Sequence, residues 1–131
     1  MPADVELAEY LEDQSVGTVG TDLFWGTLPA GKVSGMVIAQ YAGNPPELTC
    51  GSDGITIEMP RLQLTVRNVD ESTGMTKARL AAVALSKIKN QSIEGTYYRT
   101  VNVLQTPGLL GRDSNNRPMY GFNLEAEKVV S

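Results

Sequence analysis

Histidine is absent from the 131 residues, and cysteine occurs once, at Cys50. The first absence removes the commonest general base, the commonest neutral metal ligand and the usual partner in a nucleophilic triad. The second rules out an internal disulfide, and together they leave carboxylates as the main donors for any metal. Long apolar runs are missing as well. A membrane-spanning helix needs ~18 consecutive apolar residues; the longest stretches are Met36–Ala39 and Leu80–Leu85. The opening Met1-Pro2-Ala3-Asp4 has neither the basic region nor the apolar stretch of a signal peptide, so none is expected. Clustered positive charge is also lacking. Eleven Lys and Arg are scattered among 15 acidic residues, for a net charge of −4. Affinity for nucleic acid grows with phosphates neutralised by clustered Lys and Arg. DNA binding is therefore not expected as the main task, although the balance is compatible with DNA passing nearby without sticking.

What is present reads as an ordinary globular chain, with 41% hydrophobic and 20% charged residues. The length fits a single domain over 1–131, and one core can support a domain of this size.

Residues 4–14 predict a short helix. Val5, Leu7, Ala8 and Leu11 form its apolar stripe, Glu6, Glu9 and Glu12 its solvent side, and Gly17 its stop. Residues 22–25 predict a short strand, followed by a turn over 27–31. Residues 35–41 (GMVIAQY) predict a strand apolar on both sides, ended by Asn44-Pro45-Pro46 because proline cannot donate to a ladder. The stretch 48–57, interrupted by Gly51 and Gly54, reads as a loop with an edge strand.

Residues 61–67 (RLQLTVR) alternate cleanly, with Leu62, Leu64 and Val66 inward and Arg61, Gln63, Thr65 and Arg67 outward. Residues 70–90 predict the main helix, with Asp70 or Ser72 as cap, Lys87 and Lys89 in the last turn and Asn90 in the left-handed closing position. Strands are expected over 96–105 and 117–127, joined by a long connector of turn-forming residues. The fold class is α+β: a mixed, mostly antiparallel sheet of four to five strands with two helices packed on one face.

No catalytic constellation emerges from these residues, and no enzyme activity, cofactor or metal is expected. Cys50 has no histidine to activate it and reads as a structural thiol. The carboxylates fall on the solvent side of the first helix, at the start of the second (Asp70, Glu71) and in the last strand (Glu125, Glu127), where a solvated surface is the simpler reading. Gly17 and Gly20 lack the Lys-Ser/Thr ending of a phosphate-binding loop. Trp25 is either a core anchor or an interface hot spot, a position where tryptophan is enriched. Arg61, Arg67 and Arg99 are either solvated strand faces or partners for the acids of an adjacent subunit.

Several segments, in order, carry a resemblance. They are Gly17-Thr18-Val19-Gly20-Thr21-Asp22-Leu23-Phe24 after the first helix, Tyr41-Ala42-Gly43-Asn44-Pro45-Pro46, and the alternating Pro60–Arg67. Gln105-Thr106-Pro107-Gly108-Leu109-Leu110-Gly111-Arg112-Asp113 and Asn115-Asn116-Arg117-Pro118-Met119-Tyr120-Gly121-Phe122 complete the set. Together they resemble the tail-terminator, or minor capsid, family of tailed bacteriophages over nearly the whole chain; the stretch 48–58 is longer and more glycine-rich than the family pattern.

The resemblance implies a non-enzymatic virion protein, assembled in the bacterial host cytoplasm and located in the tail or neck. It implies a homo-oligomeric ring, usually a hexamer. The ring caps the tail tube protein and meets the head completion (stopper) protein of the connector. Genomic DNA passes through its lumen without specific binding, and no membrane is involved. Within that reading Asp22, Trp25, Arg61, Arg99, Arg112, Asp113 and Arg117 are expected to touch neighbouring molecules. The alternative from another class is a small peptide- or ligand-binding module that uses an open sheet edge.

Overall fold

The computed structural model describes residues 3–26, 34–48, 56–68, 70–112 and 117–130. The turn expected at 27–31, Cys50 and Asp113 lie outside them. The first helix, α1, spans Ala3–Asp13. Leu7, Ala8 and Leu11 are fully buried as the stripe requires, but so is Glu6, which the sequence pattern puts in solvent. Ser15, not Gly17, closes the helix. It takes a positive φ of 61°, while its N–H bonds the Glu12 carbonyl and the Val16 N–H reaches back to that of Leu11. That pair of bonds is a Schellman closure, and it aims Val16 at the core.

Strand β1, Leu23–Trp25, pairs in parallel with β2, Gly35–Leu48, through Met36–Ile38. The double-prolyl segment does not end β2. The strand passes through it with a register shift between Asn44 and Glu47. A shifted register accommodates residues that cannot donate to the ladder. β2 runs antiparallel to β3, Thr56–Arg67, which runs antiparallel to β7, Pro118–Val130. The alternation in β3 holds for Leu62, Leu64 and Val66, all with no exposed surface.

Helix α2 spans Glu71–Ser86 and stops four residues earlier than its periodicity suggests. The Lys87 N–H bonds the Ala84 carbonyl and the Ile88 N–H bonds that of Leu85, and the chain then enters strand β4, Lys89–Ile93. Asn90 does adopt the left-handed conformation, φ 48°, but inside β4. Asp70 caps the start by conformation, and its carboxylate accepts the Thr73 hydroxyl rather than a backbone N–H. β4 turns into β5, Thr96–Val103, through Glu94 and Gly95, at φ 50° and 82°. Two positive φ values in a two-residue loop match the twist of a tight hairpin. The expected long connector contains a further strand, β6, Gly108–Arg112.

Among the described residues the sheet therefore has seven strands, in the order β1-β2-β3-β7-β5-β4, with β6 also on β7. This corrects the expected four to five. β4 was hidden behind helical spacing that runs on through Ile88, and β6 behind turn-forming residues. Among the described strands antiparallel pairing dominates and β1–β2 is parallel, so the sheet is mixed. β5 and β6 lie in succession along one edge of β7, with β3 along the other.

One core joins Leu7 and Leu11 of α1, Ala81 and Leu85 of α2, and Leu64, Tyr98, Phe122 and Leu124 of the strands. Each such buried apolar side chain contributes roughly 1.5–3 kcal/mol. The α2–β7 contact is close because Gly74 faces the Tyr120 ring; a Cβ there would stand 2.7 Å from it.

Candidate functional site

The polar face of the sheet is organised around β7. Asn123, Glu125 and Glu127 alternate with the buried Phe122, Leu124 and Ala126. Arg61 on β3 donates from Nε to Glu125 Oε2 at 3.0 Å, and Arg99 on β5 lies 3.9 Å from Glu127. The two arginines thus flank one acidic row from either side. Neither reading of these residues anticipated partners within the same chain, which Glu125 and Glu127 provide. Both arginine side chains are more than two-fifths exposed, so each pair is worth only ~0.2–1 kcal/mol. Arg67 shares this face by register, opposite Met119, but is buried at the end of β3.

Asp22 and Trp25 sit at the opposite end of the sheet. Asp22 closes the G-x-x-G-T-D segment: its Oδ1 accepts the Thr18 N–H at 2.6 Å, and its carbonyl accepts the Met36 N–H at 2.8 Å. Glu12 Oε2 accepts the Val19 N–H at 2.7 Å and ties the same segment to α1. The motif is a folded joint between helix and sheet. Trp25, at the end of β1, keeps 43% of its surface exposed. Arg112 and Arg117 come together at the β6–β7 connection, where Arg112 stands opposite Pro118. The six described residues of the expected contact set thus fall into three places: the β1 edge, the β7 polar face and the β6–β7 end.

A buried polar knot escaped the sequence reading. Tyr98 donates its hydroxyl to Glu6 Oε1 at 2.8 Å, Thr96 donates to Oε2, and Lys128 Nζ lies 3.8 Å away. Burial, and then the hydrogen bond to Glu6, push the Tyr98 hydroxyl well above its ordinary range. The spacing of Ala3, Glu6 and Tyr10, three and four residues apart, places Glu6 on a buried line of α1 but does not show which distant groups meet it. With no surface of its own, the Glu6 carboxylate has no route to a substrate, and it joins α1 to β5 and β7.

A cleft of about 130 Å³ lies between Asp22, Met36, Asn68 and Lys77, below the ~300 Å³ where ligand pockets begin. Among the described residues no group of three or more Cys, Asp or Glu is placed to hold a metal, and no helix is long and apolar enough to cross a membrane.

The sequence profile described as bacteriophage tail terminator protein matches residues 10–130. The chain belongs to the bacteriophage tail terminator family. A tail terminator is a structural protein of the virion, and the family carries a non-enzymatic role. No curated protein sequence matches this tail terminator. In fold it is similar to a chain from the virion of a native gene transfer agent particle, with a TM-score of 0.57 and 13% identity, over 98% of this chain and 87% of that one. Among the described residues, the tail terminator also exposes Leu80 and Val83 on α2, Leu104, Leu109 and Leu110 along β5–β6, and the rings of Tyr41 and Tyr97.

Proposed function

We propose that the protein closes the finished tail tube as a hexameric ring and presents it to the head completion protein of the connector, with genomic DNA passing through the lumen. The observation that carries this reading is the family match over residues 10–130. Its physical content is docking of surfaces. A closed ring needs heterologous contacts, in which one patch meets a different one and the rotation closes. Exposed apolar side chains at the β1 edge, on α2 and along β6 supply separate patches on a single chain. The net charge of −4 favours a lumen that DNA crosses without being held. Assembly takes place in the host cytoplasm, where tube and connector proteins are made.

Electron micrographs of the purified protein, alone and with assembled tail tubes, test the reading. Rings at tube ends are expected; a strictly monomeric protein that never decorates a tube would end it. At the β6–β7 end, Arg112→Glu is expected to lower the yield of joined particles, as measured by plaque count in a complementation assay.

A second reading, a module that binds an extended peptide, draws on one feature. β1 covers only Met36–Ile38 of β2, leaving the rest of that edge without a strand partner among the described residues. Pro45 and Pro46 on the same strand blunt the edge. Sizing the protein with and without tubes, beside a peptide-array screen, separates the two.

A further inference from the structure

Charge is segregated between the two helices. Beyond the acids at its start, Asp70 and Glu71, α2 and its C-terminal cap contain Lys77, Arg79 and Lys87 and no further acidic residue, whereas α1 contains Asp4, Glu6, Glu9, Glu12 and Asp13 and no basic one. Residues of α2 at spacings of three and four, namely Thr76, Arg79, Leu80 and Val83, line a shallow apolar groove that faces away from the core. Leu80 and Val83 keep 56% and 54% of their surface exposed, while Ala78, Ala81 and Leu85 on the other side of the helix are buried. The α1 surface shows the complementary sign: Asp13 is exposed, and Glu9 and Glu12 are half-buried. Trp25, on the neighbouring β1, adds an exposed aromatic. The two helices of one chain touch through their inner sides, where the Tyr10 hydroxyl donates to the Ala84 carbonyl at 3.2 Å. Among the described residues, nothing of the same chain covers the stripe.

We infer that the α2 stripe, centred on Leu80 and Val83 and flanked by Arg79 and Lys87, docks on the acidic α1–β1 flank of a second copy of this chain. The inference rests on the ring reading above and names the two patches that meet. Charge complementarity selects the α1 flank over the other exposed apolar patch. By sequence, β6 and its link to β7 carry Arg112 and Arg117 against the single acid Asp113, a net sign the same as that of the stripe, and like charges facing each other oppose docking. A contact between two different patches, passed on from copy to copy rather than exchanged between two, produces a ring when the rotation closes.

The test uses the full chain and follows mass against concentration by light scattering. Leu80→Asp with Val83→Asp is expected to raise the half-assembly concentration roughly tenfold or more, the effect typical of losing a central contact. Arg79→Glu with Lys87→Glu, and separately Glu9→Lys with Asp13→Lys, are each expected to weaken assembly, and their combination is expected to recover part of the loss. Leu80→Ser with Val83→Ser stands in if the aspartate variant does not fold.

Rings unchanged by every one of these replacements overturn the inference and leave the ring reading intact. Reversals that weaken assembly without mutual recovery overturn the pairing of these two patches. Variants that keep their rings but no longer attach to tail tubes assign the stripe to the tube and overturn docking between copies. A parent protein that is monomeric both alone and on tubes removes the ring reading and this inference together.

Discussion

At the scale of single residues, the buried carboxylate of Glu6 decides how α1 is held. Two hydroxyls and the ammonium of Lys128, itself 7% exposed, satisfy it. Removing one member of a buried charged pair leaves the other uncompensated, at ~3–5 kcal/mol. Glu6→Ala is expected to lose about that much, read as a drop in the denaturant midpoint, and a change within ~0.5 kcal/mol would show that Lys128 finds water instead. The same knot sets a pH dependence. The Tyr98 hydroxyl has a raised pKa in the folded state and an ordinary value of 10.0 once unfolded. The folded state therefore binds its proton more tightly, so this contribution is complete below the ordinary value and is lost progressively as pH climbs above it. The melting temperature is expected to fall above about pH 10. Tyr98→Phe, less stable at neutral pH by ~1–3 kcal/mol for the lost hydrogen bond, should decline less steeply there. Parallel curves for the two proteins would rule out Tyr98 as the titrating group. Neither effect was legible in the sequence, because a glutamate in an apolar stripe looks the same whether or not a distant Tyr and Lys meet it.

Among the elements, legibility followed periodicity. β3 could be read because its alternation reports one buried face, and α1 because its stripe does. α2 was overextended because Ile88 continues the helical spacing while its carbonyl already bonds the Val101 N–H of β5 at 3.3 Å. β6, built from Gly108-Leu109-Leu110-Gly111-Arg112, has no alternation to read and exists only through its pairing with β7. That pairing meets a close approach at Gly121, where a Cβ would stand 1.9 Å from the Leu64 carbonyl oxygen. No side chain fits without moving β3 from β7. Gly121→Ala is therefore expected to cost ~2 kcal/mol or more and to broaden the unfolding transition. Leu80→Ser, on the exposed side of α2, should stay within ~0.5 kcal/mol in the monomer. Equal stabilities for the two variants, measured by urea unfolding, would mean that the β3–β7 ladder relaxes freely around an added methyl.

For the whole molecule, the sign and distribution of charge matter more than any single site. The family was legible because its segments lie in or beside elements that join the fold: the G-x-x-G-T-D joint, the β3 alternation, and the β6–β7 pairing. The contact residues were harder to read, since Asp22 and Arg61 turn out to be engaged within their own chain. That engagement leaves the β7 face close to neutral, with Arg61 and Arg99 set against Glu125 and Glu127. The β7 face then offers no excess of the basic side chains that would release counterions from a duplex, and the total charge of −4 is multiplied in any assembly of copies. Binding that neutralises Z phosphates falls with salt at a slope of about −0.9Z on logarithmic axes. For this protein Z should be near zero, so duplex mobility in a gel is expected to be unchanged by the protein from ~0.05 to ~0.2 M salt. Reversing both acids of the row, Glu125→Lys with Glu127→Lys, should create retardation at the low end that disappears at the high end if this face lines the lumen. Retardation by the unaltered protein across that range would contradict a passage that DNA crosses without being held.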